Sequence, residues 1–295
     1  MSLLTRGSPL GLAGLLAHLN PTYGTYTAVY EHDGETDSLI GQVRAPLGAQ
    51  TAQLTFLIPA KSCNLIALPA LLEHLAVKAG AWGMPNVSGE VDEHTPVFES
   101  LRRSGFALYT WQRIWQFNPA TLENCQDNSG SKWEEAGSMD SLAIRLLCQS
   151  VVPALVQPVE LVSLARPAGL LLRRNGDLLA FAEVVNGPRG TWVKPFMHPA
   201  AEAEVSGLAA SLLGSLPYNE GHPVYLCVRS YQAWLEPVLE AFNAQVGPRQ
   251  AVMVKRLVVP IKDAVSVDAK RAHPEAVAPF AQTNGQVNLS GDGKN

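Results

Sequence analysis

The chain carries the same pattern twice. Residues 39–117 and 178–259 present the same ordered signals, strand, strand, helix, strand, helix, strand, at a separation that stays between 136 and 140 residues. Thr51–Pro59 (TAQLTFLIP) matches Thr191–Pro199 (TWVKPFMHP), with Thr, Phe and Pro in the same places. Leu68, Leu71, Leu72, Leu75, Ala76 and Ala79 recur as Val205, Leu208, Leu212, Leu213 and Leu216 with Ala209, and Val87–Val91 recurs as Val224–Val228. Each copy is large enough for a domain, so each half is expected to carry its own fold and its own site. The expected division is a first domain over 1–118, a linker over 119–138, a second domain over 139–262 and a tail over 263–295.

Local signals set the elements. Thr25–Tyr30 and Leu39–Val43 flank the turn His32-Asp33-Gly34 and predict a hairpin. Apolar residues at i, i+3, i+4, i+7, i+8 and i+11 predict a helix over 66–79, with Gly80 at its C-terminal end. Thr95-Pro96 reads as an N-cap followed by proline in the first turn, and Gly105 ends that helix. Asn175-Gly176 joins Leu170–Arg173 to Leu178–Val185 as a second hairpin. A helix over 9–19 is expected before the first half, and helical segments over 140–164 before the second. Pro237 conflicts with a continuous helix over 231–241, because proline removes a donor and clashes with the preceding turn. The tail has few large apolar side chains and is expected to be disordered.

Composition excludes several function classes. Net charge is −4 and no basic block occurs, so the electrostatic footprint of a nucleic-acid binder is missing. The longest apolar stretch, Leu65–Trp82, is interrupted by Glu73, His74 and Lys78, which argues against a membrane span. Cys63, Cys125, Cys148 and Cys227 are scattered without a CxxC, as expected of reduced thiols in a cytoplasmic protein. The seven histidines show no HxH or HExxH spacing, so no metal is expected, and no G-x-S-x-G elbow occurs.

The order of elements alone gives a mixed α/β class with at least one crossover per half. The stretch from Leu54 to Trp115, with its helix ending in Ser104-Gly105-Phe106 before an aromatic strand, resembles the C-terminal part of the GNAT (Gcn5-related N-acetyltransferase) superfamily. The second half resembles it too, and the two likenesses cover roughly residues 25–262. The resemblance implies two tandem acyl-CoA N-acyltransferase-like domains of α+β type, each a mixed sheet with helices on both faces. It implies acetyl-CoA or another acyl-CoA as cofactor and a small-molecule or peptide amine as acceptor. Pantetheine would pair with Leu54–Ile58 and pyrophosphate would sit on N–H groups in Ala60–Ala67; the second-half counterparts are Trp192–Met197 and His198–Ser206.

On that reading Leu57, Ile58, Lys61, Ser62, Cys63 and Asn64 are the cofactor-binding candidates, and Glu90 and Asp92 at a strand end are candidates for a base. The bland alternatives are a polar connection and solvated carboxylates. His198 is read first as a hydrogen-bonded structural histidine, and Trp111, Trp115, Trp192, Tyr231 and Trp234 as packing within or between halves. The sequence also departs from the family pattern. Residues 63–68 contain no glycine, Glu202 and Glu204 stand in the second loop, and the general-acid tyrosine aligns with Leu101 and with Pro237, where Ala241-Phe242 replaces Gly-Phe. A catalytically degenerate tandem kept as a binding module is therefore the alternative expectation, and another βαβ enzyme a weaker third.

Overall fold

The computed structural model describes residues 4–5, 24–30, 39–45, 49–58, 67–122, 131–160, 167–216 and 221–257. The expected helix over 9–19, the loop residues Lys61–Asn64 and the tail over 263–295 lie outside the described residues. The first half contains β1 (Thr25–Tyr30), β2 (Leu39–Arg44), β3 (Thr51–Ile58), α1 (Leu68–Ala81), β4 (Asn86–Asp92), α2 (Pro96–Arg103) and β5 (Ala107–Phe117). A short β6 (Glu134–Glu135) and α3 (Ser141–Val151) lead into the second half. That half contains β7 (Gly169–Arg174), β8 (Asp177–Gly187), β9 (Gly190–Met197), α4 (Val205–Ser215), β10 (Val224–Arg229), α5 (Glu236–Ala241), β11 (Gln245–Val246) and β12 (Gln250–Arg256).

All these strands join one sheet in the order β1-β2-β3-β4-β12-β5-β10-β9-β8-β7-β6, with β11 on β5. Without β6 and β11 the order is a palindrome of the two copies. The last strand of the second copy, β12, lies antiparallel between β4 and β5. The last strand of the first copy, β5, lies antiparallel between β12 and β10. Each copy thus completes its sheet with the other's final strand. Gln112 and Gln250, 138 residues apart, face each other in the register and bond side chain to side chain at 2.8 Å, so a pseudo-twofold axis passes between them. Either half alone would expose two strand edges where β5 and β12 now pair, and unpaired edges of that kind are open to aggregation.

Alternation along the strands sends side chains to two faces. On β8, Ala180, Ala182 and Val184 join a core with Leu208, Leu212 and Leu213 of α4, whereas Phe181 joins Ile144 and Leu147 of α3 on the other side. On β12, Ala251 and Met253 join α1 and α2, whereas Val254 faces the α3 side. Helices cover both faces: α1, α2, α4 and α5 on what we call the front, α3 on the back. Segment 131–136 is built into the second half, although its composition reads as linker. Trp133 is buried there and donates to Ser211 Oγ at 3.0 Å, and β6 pairs with β7.

Pro237 is accommodated by a restart. Ser230–Leu235 forms a 3-10 segment with Gln232 at non-helical angles, and α5 begins at Glu236 with proline in its first turn. The helix ends also refine the alignment of the copies. Phe106 N–H donates to Leu101 O at 3.0 Å around Gly105 at φ +83°, and Ala244 N–H donates to Leu239 O at 3.2 Å around Asn243 at φ +58°. Asparagine is among the residues that tolerate this left-handed cap. Gly105 therefore corresponds to Asn243, and Leu101 to Leu239, where sequence alone suggested Ala241 and Pro237.

Candidate functional site

The two copies differ where β3 leaves β4 and where β9 leaves β10. In the first half the parallel pairing covers only Thr51–Gln53 with Asn86–Ser88. The register between β2 and β3 shifts at Gln42/Val43, which leaves Thr55 as an extra residue on β3. A bulge of this kind bends and twists its strand, and β9 has no counterpart to it. Polar bonds pin it: Thr55 Oγ1 donates to Gln42 Oε1 at 2.7 Å, and Gln42 Nε2 donates to Thr27 Oγ1 at 2.9 Å. Leu54 lies against Gly89 of β4, where an added Cβ would come within 3.2 Å of Leu54 Cδ1. Leu57 and Ile58 end the strand half-buried, paired with Gly41 and Ile40 of β2.

Beyond Gln53, no described group bonds to the edge of β3 that faces β4. Two side chains of the turn after β4 are placed elsewhere. His94 is exposed, and Thr95 caps α2, accepting from Phe98 N–H at 3.3 Å and donating to Asp92 O at 2.9 Å. The next described element after β3 is α1. Its start has no side-chain cap, no acidic residue in its first turn and Pro69 among its first residues. Orphan N–H groups and the positive end of the helix dipole favour an anion at such a terminus.

In the second half the register of β8 with β9 runs unbroken from Gly187/Gly190 to Ala180/Met197, so β9 carries no bulge. Pairing of β9 with β10 covers Thr191–Val193 and Val224–Leu226, and the gap after it is occupied. Gln232, 1% exposed, accepts from Met197 N–H at 2.8 Å and donates to Pro195 O at 2.8 Å. Its primary amide bonds to β9 as a neighbouring strand would. His198 Nδ1 accepts from Ala200 N–H at 3.1 Å and caps the turn that follows, a structural role. Glu202 and Glu204 stand before α4, and Glu204 pairs with Arg174. An anion meets closed backbone and carboxylates in this half.

Glu90 and Asp92 are both tied to the second copy. Glu90 Oε1 lies 3.7 Å from Arg229 Nη1, and Asp92 Oδ1 accepts from Gln250 Nε2 at 2.8 Å. They open a polar chain on the back of the sheet that sequence reasoning missed. Gln250 accepts from Gln112, Gln112 accepts from Arg229, and Arg229 Nη2 donates to Glu160 Oε1 at 3.2 Å. Lys194 Nζ donates to Glu160 at 2.9 Å and lies 3.1 Å from Glu183, while Tyr231 O–H donates to Glu160 Oε2 at 3.2 Å. The Glu160 side chain is 4% exposed, and those of Lys194 and Arg229 are 8% exposed. The available signal was a lysine amid the apolar run TWVKPFM, with an arginine ending YLCVR.

Burial works to raise the Glu160 pKa, but the Arg229 and Lys194 charges outweigh it and hold the carboxyl at about 2. The same carboxylate keeps both cations above their ordinary values against their own burial. Burial pushes the Cys227 thiol up to about 12, so it is no nucleophile at neutral pH. Among the described residues no cluster of histidine, cysteine or carboxylates could hold a metal ion. No helix among them is long and apolar enough to cross a membrane.

A pH dependence follows. A carboxyl with a folded pKa below its unfolded value stabilises fully above the unfolded value, near 4.3, and loses that contribution as pH falls towards 2. The loss expected between pH 5 and pH 2 is on the order of 3 kcal/mol, at about 1.4 kcal/mol per unit. Urea unfolding of wild type and Glu160→Gln over that range checks it: the stability gap between them should shrink steadily as pH falls.

No family model matches the chain, and no curated protein is similar to it. Solved structures are similar in fold. A GCN5-related N-acetyltransferase from Kribbella flavida superposes with a TM-score of 0.51 at 14% identity, covering 83% of this chain and 96% of that one. A Drosophila protein superposes with a TM-score of 0.50 at 14% identity, covering 78% and 79%. A tandem GNAT protein from the clavulanic acid biosynthesis pathway aligns at 0.48 and 15% identity, covering 79% and 83%. At such identities the likeness is one of fold: the chain has the fold of the GCN5-related N-acetyltransferases, present here as two copies with exchanged last strands.

Proposed function

We propose that the chain is an acyl-CoA-dependent N-acyltransferase whose working cleft lies in the first of two tandem units, 1–118 and 139–262, the second serving as its structural support. The contrast between the two clefts carries this reading. Beyond Gln53 the edge of β3 has no described partner, whereas Gln232 occupies that edge in β9. Pantetheine amides would bond to β3 around Leu57 and Ile58, and the pyrophosphate would lie at Lys61, Ser62, Cys63 and Asn64 before α1. Acetyl-CoA is the first cofactor to try, and the acceptor is an amine of a small molecule or peptide. Backbone N–H groups would polarise the thioester carbonyl. The ionic partners of Glu90 and Asp92 suit them to holding the halves together as well as to accepting a proton through water.

One observation favours a second reading, a degenerate tandem that binds without catalysis. The position of the family's acidic tyrosine is Leu101, buried in the first core, and its counterpart Leu239 is buried in the second. Neither can deliver a proton.

Thermal unfolding with and without acetyl-CoA and free coenzyme A tests the binding step. A ligand that binds only the folded state adds about 2.7 kcal/mol at a hundredfold excess over Kd, which moves the midpoint of a unit this size by roughly 5–10 °C. A shift of that size followed by acyl transfer to an amine panel supports the enzyme. A shift without transfer shows binding without catalysis, and no shift with millimolar acetyl-CoA or coenzyme A overturns the enzyme and leaves the degenerate module.

A further inference from the structure

We propose that a cavity on the front of the sheet, at the pseudo-twofold axis, binds a small organic carboxylate. The cavity holds about 200 Å³ and is lined by Trp111, Arg113, Ser230, Ala233, Glu236 and Arg249. The copies differ around it, and one of the differences leaves room. With the correspondence of Leu101 to Leu239, Phe98 of α2 matches Glu236 of α5. Phe98 stacks on Trp111 with ring centroids 6.1 Å apart and fills its side of the axis. On the other side Glu236 swings to Arg113 at 3.0 Å, Ala233 is too small to reach the sheet, and the space between stays open.

The lining sets the ligand's charge. Two guanidinium groups and the Glu236 carboxylate line it, Arg113 paired with Glu236 and Arg249 with Glu93, so the attraction for an anion comes from the donors these forks keep rather than from a net charge. Arg249 lies over the Trp111 ring, its guanidinium carbon 4.1 Å from the centroid, a cation–π contact that holds the side chain at the cavity. Among the described residues it donates from one nitrogen only, to Glu93 at long distances of 3.4 and 3.5 Å. Arg113 likewise donates from one nitrogen, to Glu236. A guanidinium carries five N–H donors, so both forks keep donors for a planar carboxylate, which Arg binds with two parallel bonds. Trp111, which carries Arg249 on its ring, also lines the cavity and adds apolar surface there. Nothing in this assignment depends on acyl-CoA binding in the first cleft.

Benzoate is a suitable probe, because it joins a planar carboxylate to a ring that a cavity of this volume admits. Benzamidine, planar like benzoate and of opposite charge, is the control. Isothermal titration calorimetry on the full chain should show saturable one-to-one binding of benzoate in the millimolar range and none of benzamidine. Arg249→Gln should weaken benzoate at least tenfold. Ala233→Trp, which fills the cavity from an exposed position and leaves every charge in place, should abolish binding with an unchanged unfolding midpoint. Absence of benzoate binding at 10-fold millimolar excess, equal binding of benzamidine, or binding that survives both substitutions each overturns the proposal.

Discussion

Glu160→Ala is expected to remove about 3–5 kcal/mol of folding stability, a large share of the roughly 5–15 kcal/mol typical of a folded protein. Three donors converge on this carboxylate, from Lys194, Arg229 and Tyr231. Removing it leaves two buried cations short of a counter-ion, and an uncompensated buried charge costs far more than the pair contributes in net terms. The structure offers partial relief: Lys194 keeps Glu183 at 3.1 Å, and Arg229 keeps Gln112 and the more exposed Glu90. The expected loss therefore lies towards the lower end of the range. Chemical denaturation should show a lower midpoint with an unchanged slope against urea. Combining Glu160→Leu with Lys194→Met and Arg229→Met should recover much of the loss, because apolar replacement of a whole buried cluster is often neutral or stabilising. A triple variant less stable than Glu160→Ala would show that the cluster contributes net stability beyond mutual compensation.

This cluster also joins parts distant in sequence. Glu160 closes the segment after α3, Lys194 belongs to β9, Arg229 ends β10, and the chain of bonds runs through Gln112 and Gln250 to Asp92 at the end of β4. Asp92 and Arg229 end equivalent strands in the two copies and face the axis with opposite charge. Arg229 also makes an acid–base contact between the copies, with Glu90 at 3.7 Å, an attraction that adds to the bonds of the chain.

The repeat was legible because each copy must bury its own helices, and burial forces apolar residues onto a period that substitution preserves. Leu68–Ala79 and Val205–Leu216 show it, and α1 and α4 stand there. The exchange of β5 and β12 was not legible. Both strands are apolar and of similar period, and nothing in such a strand states which neighbour it pairs with. The candidate cleft was legible only in outline. TAQLTFLIP and TWVKPFMHP have equal length, so the bulge at Thr55 and the unbroken register of β9 leave no gap in the alignment. They differ because Thr55 finds Gln42 beneath it, a partnership between residues on different strands. Gln232 was hidden for another reason. Residues 231–241 read as one helix interrupted by Pro237, whereas the non-helical angles at Gln232 let its side chain reach the edge of β9.

Gln232→Leu should lower stability by about 2–5 kcal/mol and leave the first cleft's ligand affinity unchanged. Leucine has nearly the volume of glutamine, so the substitution removes two hydrogen bonds and little packing. Met197 N–H and Pro195 O would remain in a strand whose every residue is buried. Each such group left unsatisfied costs about 1–3 kcal/mol. Glutamate at this position can still accept from Met197 but cannot donate to Pro195 unless protonated, so Gln232→Glu should cost less at acid pH than at neutral pH. The same geometry bears on stoichiometry. Pantetheine could reach β9 only by displacing an amide that already makes both bonds, and the incoming ligand gains only what the displaced side chain loses. Titration of the wild-type chain with coenzyme A should therefore saturate at one site, in the first half, with Gln232→Leu giving the same stoichiometry and affinity. A second equivalent bound by wild type would show that Gln232 yields to ligand and that both halves are binding sites.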